Sequence, residues 1–196
     1  FPYTTLFRSS TEDTVRGPED YIARPFYRWG DPTGIKNNMP AFKPDASNTT
    51  DEQAVQAGMH HDGMAWFSLP QGGQSPEHGL LALNHEYIDN GMLFTDGTAN
   101  WSLDKARKGQ NAMGVSVVEV KNTGSAWEVV RPSSFARRIT VNTPMQLTGP
   151  ARHQDLMKTA ADPQGERVLG TMQNCANGHT PWGTYLTCEE NWSDIF

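Results

Sequence analysis

Apolar residues in this 196-residue chain come in short runs broken by Gly, Pro and Asn, with little of the spacing that builds long amphipathic helices. Residues 63–69 (GMAWFSL) stop at Pro70 and read as a buried strand. After the turn residues 71–76, residues 79–84 (GLLALN) read as its partner across a longer loop. Residues 114–120 (GVSVVEV) are dominated by β-branched side chains. The stretch 121–125 (KNTGS) turns them back onto residues 127–130 (WEVV), which predicts a hairpin. Two more strands are predicted at 168–172 and 182–188. Helix signals are few: residues 102–111 (SLDKARKGQN) with Ser102 as N-cap, and a turn or two within 154–159. Residues 10–50, rich in Pro, Gly, Asn and Asp, predict an extended, ordered lead-in anchored by Tyr21, Phe26, Tyr27, Trp29 and Phe42. Short strands at close spacing, with no clean internal repeat, predict an all-β fold: a sandwich, barrel or propeller.

Composition narrows the function classes. Apolar residues make up 36% of the chain and six are Trp, which favours a packed interior over disorder. No apolar run approaches the roughly 18 residues that span a bilayer, so no transmembrane helix is expected. The net charge is −6 and no more than two basic residues are adjacent, so duplex nucleic acid is excluded as the main partner. The ends carry their own expectation. Residues 2–9 (PYTTLFRS) match the translation of a sequencing adapter, so residues 1–9 are read as non-native and excluded from fold reasoning. The chain stops directly after an acidic motif, so residues 10–196 are expected to be the N-terminal portion of one larger domain.

Three clusters carry candidate chemistry. In residues 59–64 (MHHDGM), two adjacent His point apart if extended, and Asp62 reads either as a turn residue ahead of Gly63 or as a metal or supporting ligand. Asn84, His85 and Glu86 finish an apolar strand, where they stand either as an ordinary solvated strand end or as rim ligands. Cys175 lies in an Asn/Gly loop as a soft ligand or nucleophile, and Glu189 and Glu190 follow a strand as hard oxygen ligands. A Cys175–Cys188 disulfide is the plain alternative for the thiols. The two acids alternate across a regular strand, so for both to bind one ion the chain must twist or leave the strand. No CxxC, HExxH, Walker-type or GxSxG motif occurs.

The strings YRWGDP (27–32), HDGMAWF (61–67), GLLALNHEY (79–87), GVSVVEV (114–120), RRITVNTPMQLTGPA (137–151) and NCANGHTPWGTYLTCEENW (174–192) resemble, in order, the PhoX family of bacterial alkaline phosphatases. Arg152-His153-Gln154 depart from the small residues members tend to have there. The resemblance implies part of a decorated β-propeller, roughly its first third, with a mixed iron (Fe³⁺) and calcium (Ca²⁺) centre. It implies Cys175 as the iron thiolate, with Glu86, Glu189 and Glu190 as carboxylate ligands and Asp62, His85 and Asn84 in an outer tier. Cys188 then reads as a buried strand residue. The substrates implied are small-molecule phosphate monoesters, hydrolysed after export to the periplasm or beyond; the oligomeric state stays open, with a monomer favoured. A metal-held oxo or hydroxo group is the expected nucleophile, and a piece of the ring alone is expected to be inactive. Two alternatives stand beside this reading: another metal-centred propeller hydrolase, acting on phosphodiesters or lactones, and a non-catalytic propeller module that only holds calcium.

Overall fold

The computed structural model describes residues 11–190, so the reading of residues 1–9 falls outside it. In chain order it contains α1 (Thr50–Gln53), β1 (His61–Ser68), β2 (His78–His85), α2 (Asn90–Leu93), α3 (Leu103–Asn111), β3 (Gly114–Asn122), β4 (Trp127–Val129), β5 (Arg137–Ile139) and β6 (Pro144–Gln146). A single 3-10 turn (Asp155–Met157), β7 (Arg167–Leu169), β8 (Asn174–His179) and β9 (Tyr185–Glu189) follow. The fold is mostly sheet with a few short helices, and no described helix is long and apolar enough to cross a membrane.

The two apolar runs form the middle of the main sheet. β1 and β2 pair antiparallel, with Ala65 opposite Ala82 and Phe67 opposite Leu80. β3 takes the other edge of β2, with Leu81 opposite Val118. β4 and β5 then share the far edge of β3, at its two ends. Leu83, Val118 and Val120 pack with Tyr27 and Ala57 into one core, flanked by Trp66, Leu81 and Val129. A second core, Met59, Leu93, Phe94 and Ala112, fills the space under α2 and α3. Ser102 caps α3 as its sequence suggests, accepting from the Lys105 N–H at 3.2 Å. Gly114 enters β3 with φ +100, and a Cβ there would lie 2.1 Å from the Ile139 carbonyl oxygen, so only glycine lets β5 close on β3.

Several elements depart from the sequence pattern. β8 forms where an Asn/Gly loop was expected, and β5 and β6 are three-residue strands with no apolar run to announce them. β5 is fixed instead by the buried Arg138. Its guanidinium donates to the carbonyls of Gln56, Asn111, Met113 and Val115 at 2.7–2.9 Å, tying three segments together. Burial pulls its pKa down to about 10, which still leaves it charged at neutral pH. In the lead-in, Tyr27 is buried and its hydroxyl donates to Ser116 Oγ at 3.0 Å, while Trp29 meets Phe42 edge-on. Tyr21 is 75% exposed and Phe26 38%, so neither is the anchor expected. Cys188, expected to be buried, is exposed, and both cysteines are free.

Candidate metal centre

Three strand segments meet at the end of the main sheet, and two of them are irregular there. β1 shifts register between His61 and Met64, the stretch holding Asp62. β8 shifts between Asn174 and Asn177, the stretch holding Cys175. Such bulges break the strict alternation of faces and re-aim one side chain. Glu86 follows directly on β2, its N–H donating to the His60 carbonyl at 3.0 Å. As a result one ligand atom each of Asp62, Glu86 and Cys175 lies within 4.8 Å of the other two, and all three side chains are half-buried.

Glu190 stands beside this group at the end of β9, outside the three whose ligand atoms converge, and the Glu189 carboxylate turns elsewhere. The Glu190 carboxylate helps keep the proton on the Cys175 thiol, and its backbone N–H donates to the Gln173 carbonyl at 3.1 Å. The Glu189 carboxylate accepts from the Met172 N–H at 3.1 Å instead. The two acids are therefore separated, as alternation along a strand requires.

The hydrogen bond to Asp62, then burial, then the charges of Asp62 and Glu86, push the Cys175 thiol up to about 12. Three carboxylates around a proton-retaining thiol form a donor set that lacks positive charge. A cation there would reverse the effect, drawing the proton from sulfur and offsetting the repulsion among the acids.

The same strands hold the cluster in place. Asn84, fully buried, donates from Nδ2 to the Cys175 carbonyl at 2.9 Å and to the Ala176 carbonyl at 3.4 Å. Its Oδ1 accepts from the hydroxyls of Tyr185 and Thr187, both at 2.9 Å. One side chain of β2 thus pins both strands of the β8–β9 hairpin. Burial and the charge of Asp62 push Tyr185 up to about 12, so it stays a donor. Gly63 permits the approach, because a Cβ there would sit 2.6 Å from both the Cys175 carbonyl oxygen and Asn177 Oδ1.

His85 points away from the cluster. Its Nε2 faces Ser116 Oγ at 2.6 Å and accepts from the Gly58 N–H at 3.3 Å, so the neutral ring carries its proton on Nδ1. Burial, then Arg138 and His61, hold its pKa well below the usual 6.5. His60 and His61 also part ways, stacking on Tyr87 and Tyr27 respectively. Tyr185 and Thr187 are neighbours of the cluster that the sequence did not announce, where only their place in a strand facing a bulge could have drawn attention to them; Gly63, named in the sequence only as a turn residue, lies within the β1 bulge itself.

The model for the family alkaline phosphatase PhoX matches residues 2–196. The chain belongs to the PhoX family. A solved structure, Pseudomonas fluorescens PhoX in complex with vanadate, a transition state analogue, is 45% identical with a TM-score of 0.79. The alignment covers 86% of this chain and 28% of that one, so the chain spans less than a third of its PhoX relative's length. No curated protein matches it.

Proposed function

We propose that this chain is the N-terminal portion of an exported, metal-dependent phosphomonoesterase, a segment of a decorated β-propeller. In this reading Asp62, Glu86, Cys175 and Glu190 hold its metal ions, and Glu189 secures the entry to β8. The observation that carries it is the convergence within 4.8 Å of ligand atoms from β1, β8 and the residue that follows β2. Their chemistry fits the ions the family resemblance implies: a thiolate with carboxylates suits ferric iron, and carboxylate oxygens suit calcium. PhoX membership and the vanadate complex of the P. fluorescens protein support phosphoryl transfer as the reaction.

When bound, the ions would polarise the phosphoryl oxygens and offset the charge of a dianionic substrate. The chain's own residues prepare that site. Asp62, within reach of Sγ, is placed to take the Cys175 proton as the thiol becomes a ligand. Asn84 fixes the backbone on either side of that sulfur, and Glu86 stands between the cluster and a neighbouring cavity. Preorganisation of this kind keeps ligands in place before substrate arrives.

The test uses the complete enzyme that contains this chain. Metal content and turnover are measured for the wild type and for Cys175→Ser, on a monoester, a diester and a lactone. The wild type is expected to carry iron and calcium and to prefer the monoester. Cys175→Ser is expected to lose iron and to drop monoester turnover by about 100-fold or more. Preference for the diester or lactone, or a metal-bearing protein inert on all three, would replace this reading with one of its alternatives.

A further inference from the structure

We infer that His60 is a positioning residue for the metal centre: it grips the chain on both sides of Glu86, through its carbonyl and through its ring, and so sets the aim of that carboxylate. This deepens the metal-centre reading of the proposed function and rests on it. Glu86 is the member of the cluster with the least to hold it. The Asp62 side chain bonds the Cys175 thiol, and Asn84 pins the backbone around Cys175. Among the described residues no group hydrogen-bonds the Glu86 carboxylate. Its aim therefore depends on the backbone that carries it.

That backbone meets His60 twice. The Glu86 N–H donates to the His60 carbonyl at 3.0 Å, one rung beyond the His61–His85 pair that ends the β1–β2 ladder. One residue on, the Tyr87 ring lies on the His60 imidazole, with centroids 3.7 Å apart and planes 13° from parallel. A residue held on both sides loses most of its torsional freedom. His60 is itself well seated. Met59 before it is buried, and the Met59 N–H donates to the Ala112 carbonyl at 2.9 Å. Asp62 follows two residues later, so the same contact fixes the spacing of two ligands from different segments. Neither ring serves as core filling: His60 is exposed and Tyr87 is 44% exposed. The His60 backbone sits at φ 46, in the left-handed region. A glycine would hold that backbone without strain but would lose the ring.

The experiment uses the complete enzyme and measures dissociation constants for Fe³⁺ and Ca²⁺ by chelator competition. The proteins are the wild type, Glu86→Gln, Tyr87→Phe, Tyr87→Leu and His60→Asn. Tyr87→Phe keeps the stack and Tyr87→Leu removes it. His60→Asn also removes it, with a residue that tolerates positive φ. The expected result is that Tyr87→Leu and His60→Asn each raise, by about 3- to 10-fold, the constant of the ion that Glu86→Gln weakens most. Tyr87→Phe should stay within about 2-fold of the wild type, and neither ring-removing substitution should add to Glu86→Gln when combined with it. Unchanged constants in both ring-removing variants, or a loss that adds in full to that of Glu86→Gln, would overturn the inference alone, because the stack would then act elsewhere than through Glu86. A wild type that binds neither ion would overturn the metal-centre reading and this inference with it.

Discussion

Asn84, His85 and Glu86 are consecutive, yet each has a different task. Asn84 spends all its hydrogen-bonding capacity on the β8–β9 hairpin, His85 is a neutral core residue, and Glu86 reaches the acidic cluster. Asn84→Ala should therefore take the donor from the Cys175 and Ala176 carbonyls and the acceptor from the Thr187 hydroxyl, while the Tyr185 hydroxyl keeps the Gly63 carbonyl, costing about 1–3 kcal/mol. It should also weaken metal retention, although Asn84 is no ligand; chemical denaturation and metal analysis of the same sample check both. His85 makes a pH prediction. Above about 6.5 both folded and unfolded chains hold it neutral, so it adds no slope. Below that value the unfolded chain takes up a proton that the folded core refuses, and stability falls by up to ~1.4 kcal/mol per pH unit. The slope should flatten between pH 6.5 and 5 in His85→Gln, with a remnant from His61, whose pKa is also lowered by burial. An identical slope in the variant would show that His85 titrates normally. From sequence alone the three could be marked as chemically able, but their division of labour depends on which way each faces.

At the scale of elements, the legible parts were those with a strong period or a strong cap: β1, β2, the β3–β4 hairpin and α3. β8 was not legible, because Asn-Cys-Ala-Asn-Gly-His has neither β-branched residues nor alternation, and it is a strand only because β9 pairs with it and β1 and β2 pack against it. The same is true of β5, whose central residue is a buried arginine held by carbonyls rather than an apolar side chain. The bulges that aim Asp62 and Cys175 also leave no local signature. Gly63 shows how tightly these elements meet. Gly63→Ala places a methyl against the Cys175 carbonyl and Asn177, and should force the hairpin away at a cost of about 1–3 kcal/mol. Metal content should fall with it. Full metal retention in a normally folded Gly63→Ala protein would show that the hairpin's position matters less than its hydrogen bonds suggest.

For the whole molecule, β6–β7 and β8–β9 are separate two-stranded sheets among the described residues, and such pairs are marginal without further packing. Leu156 (98% exposed), Trp182 (75%) and Leu169 (62%) add apolar surface that a longer chain would be expected to cover. Residues 10–196 expressed alone should accordingly aggregate and show no turnover with iron and calcium supplied. A monomeric, cooperatively unfolding, active product would refute that expectation. Family membership was legible from the ordered strings; the partition of the two adjacent glutamates was not, because it turns on where β9 ends. The most direct measurement on the central claim is anomalous diffraction at the iron edge from crystals of the complete enzyme. The account predicts a peak roughly 2.0–2.6 Å from the Cys175 sulfur and at least one carboxylate oxygen of Asp62, Glu86 or Glu190. A fully ordered site with no anomalous peak near Cys175, or with that sulfur paired to Cys188, would contradict it.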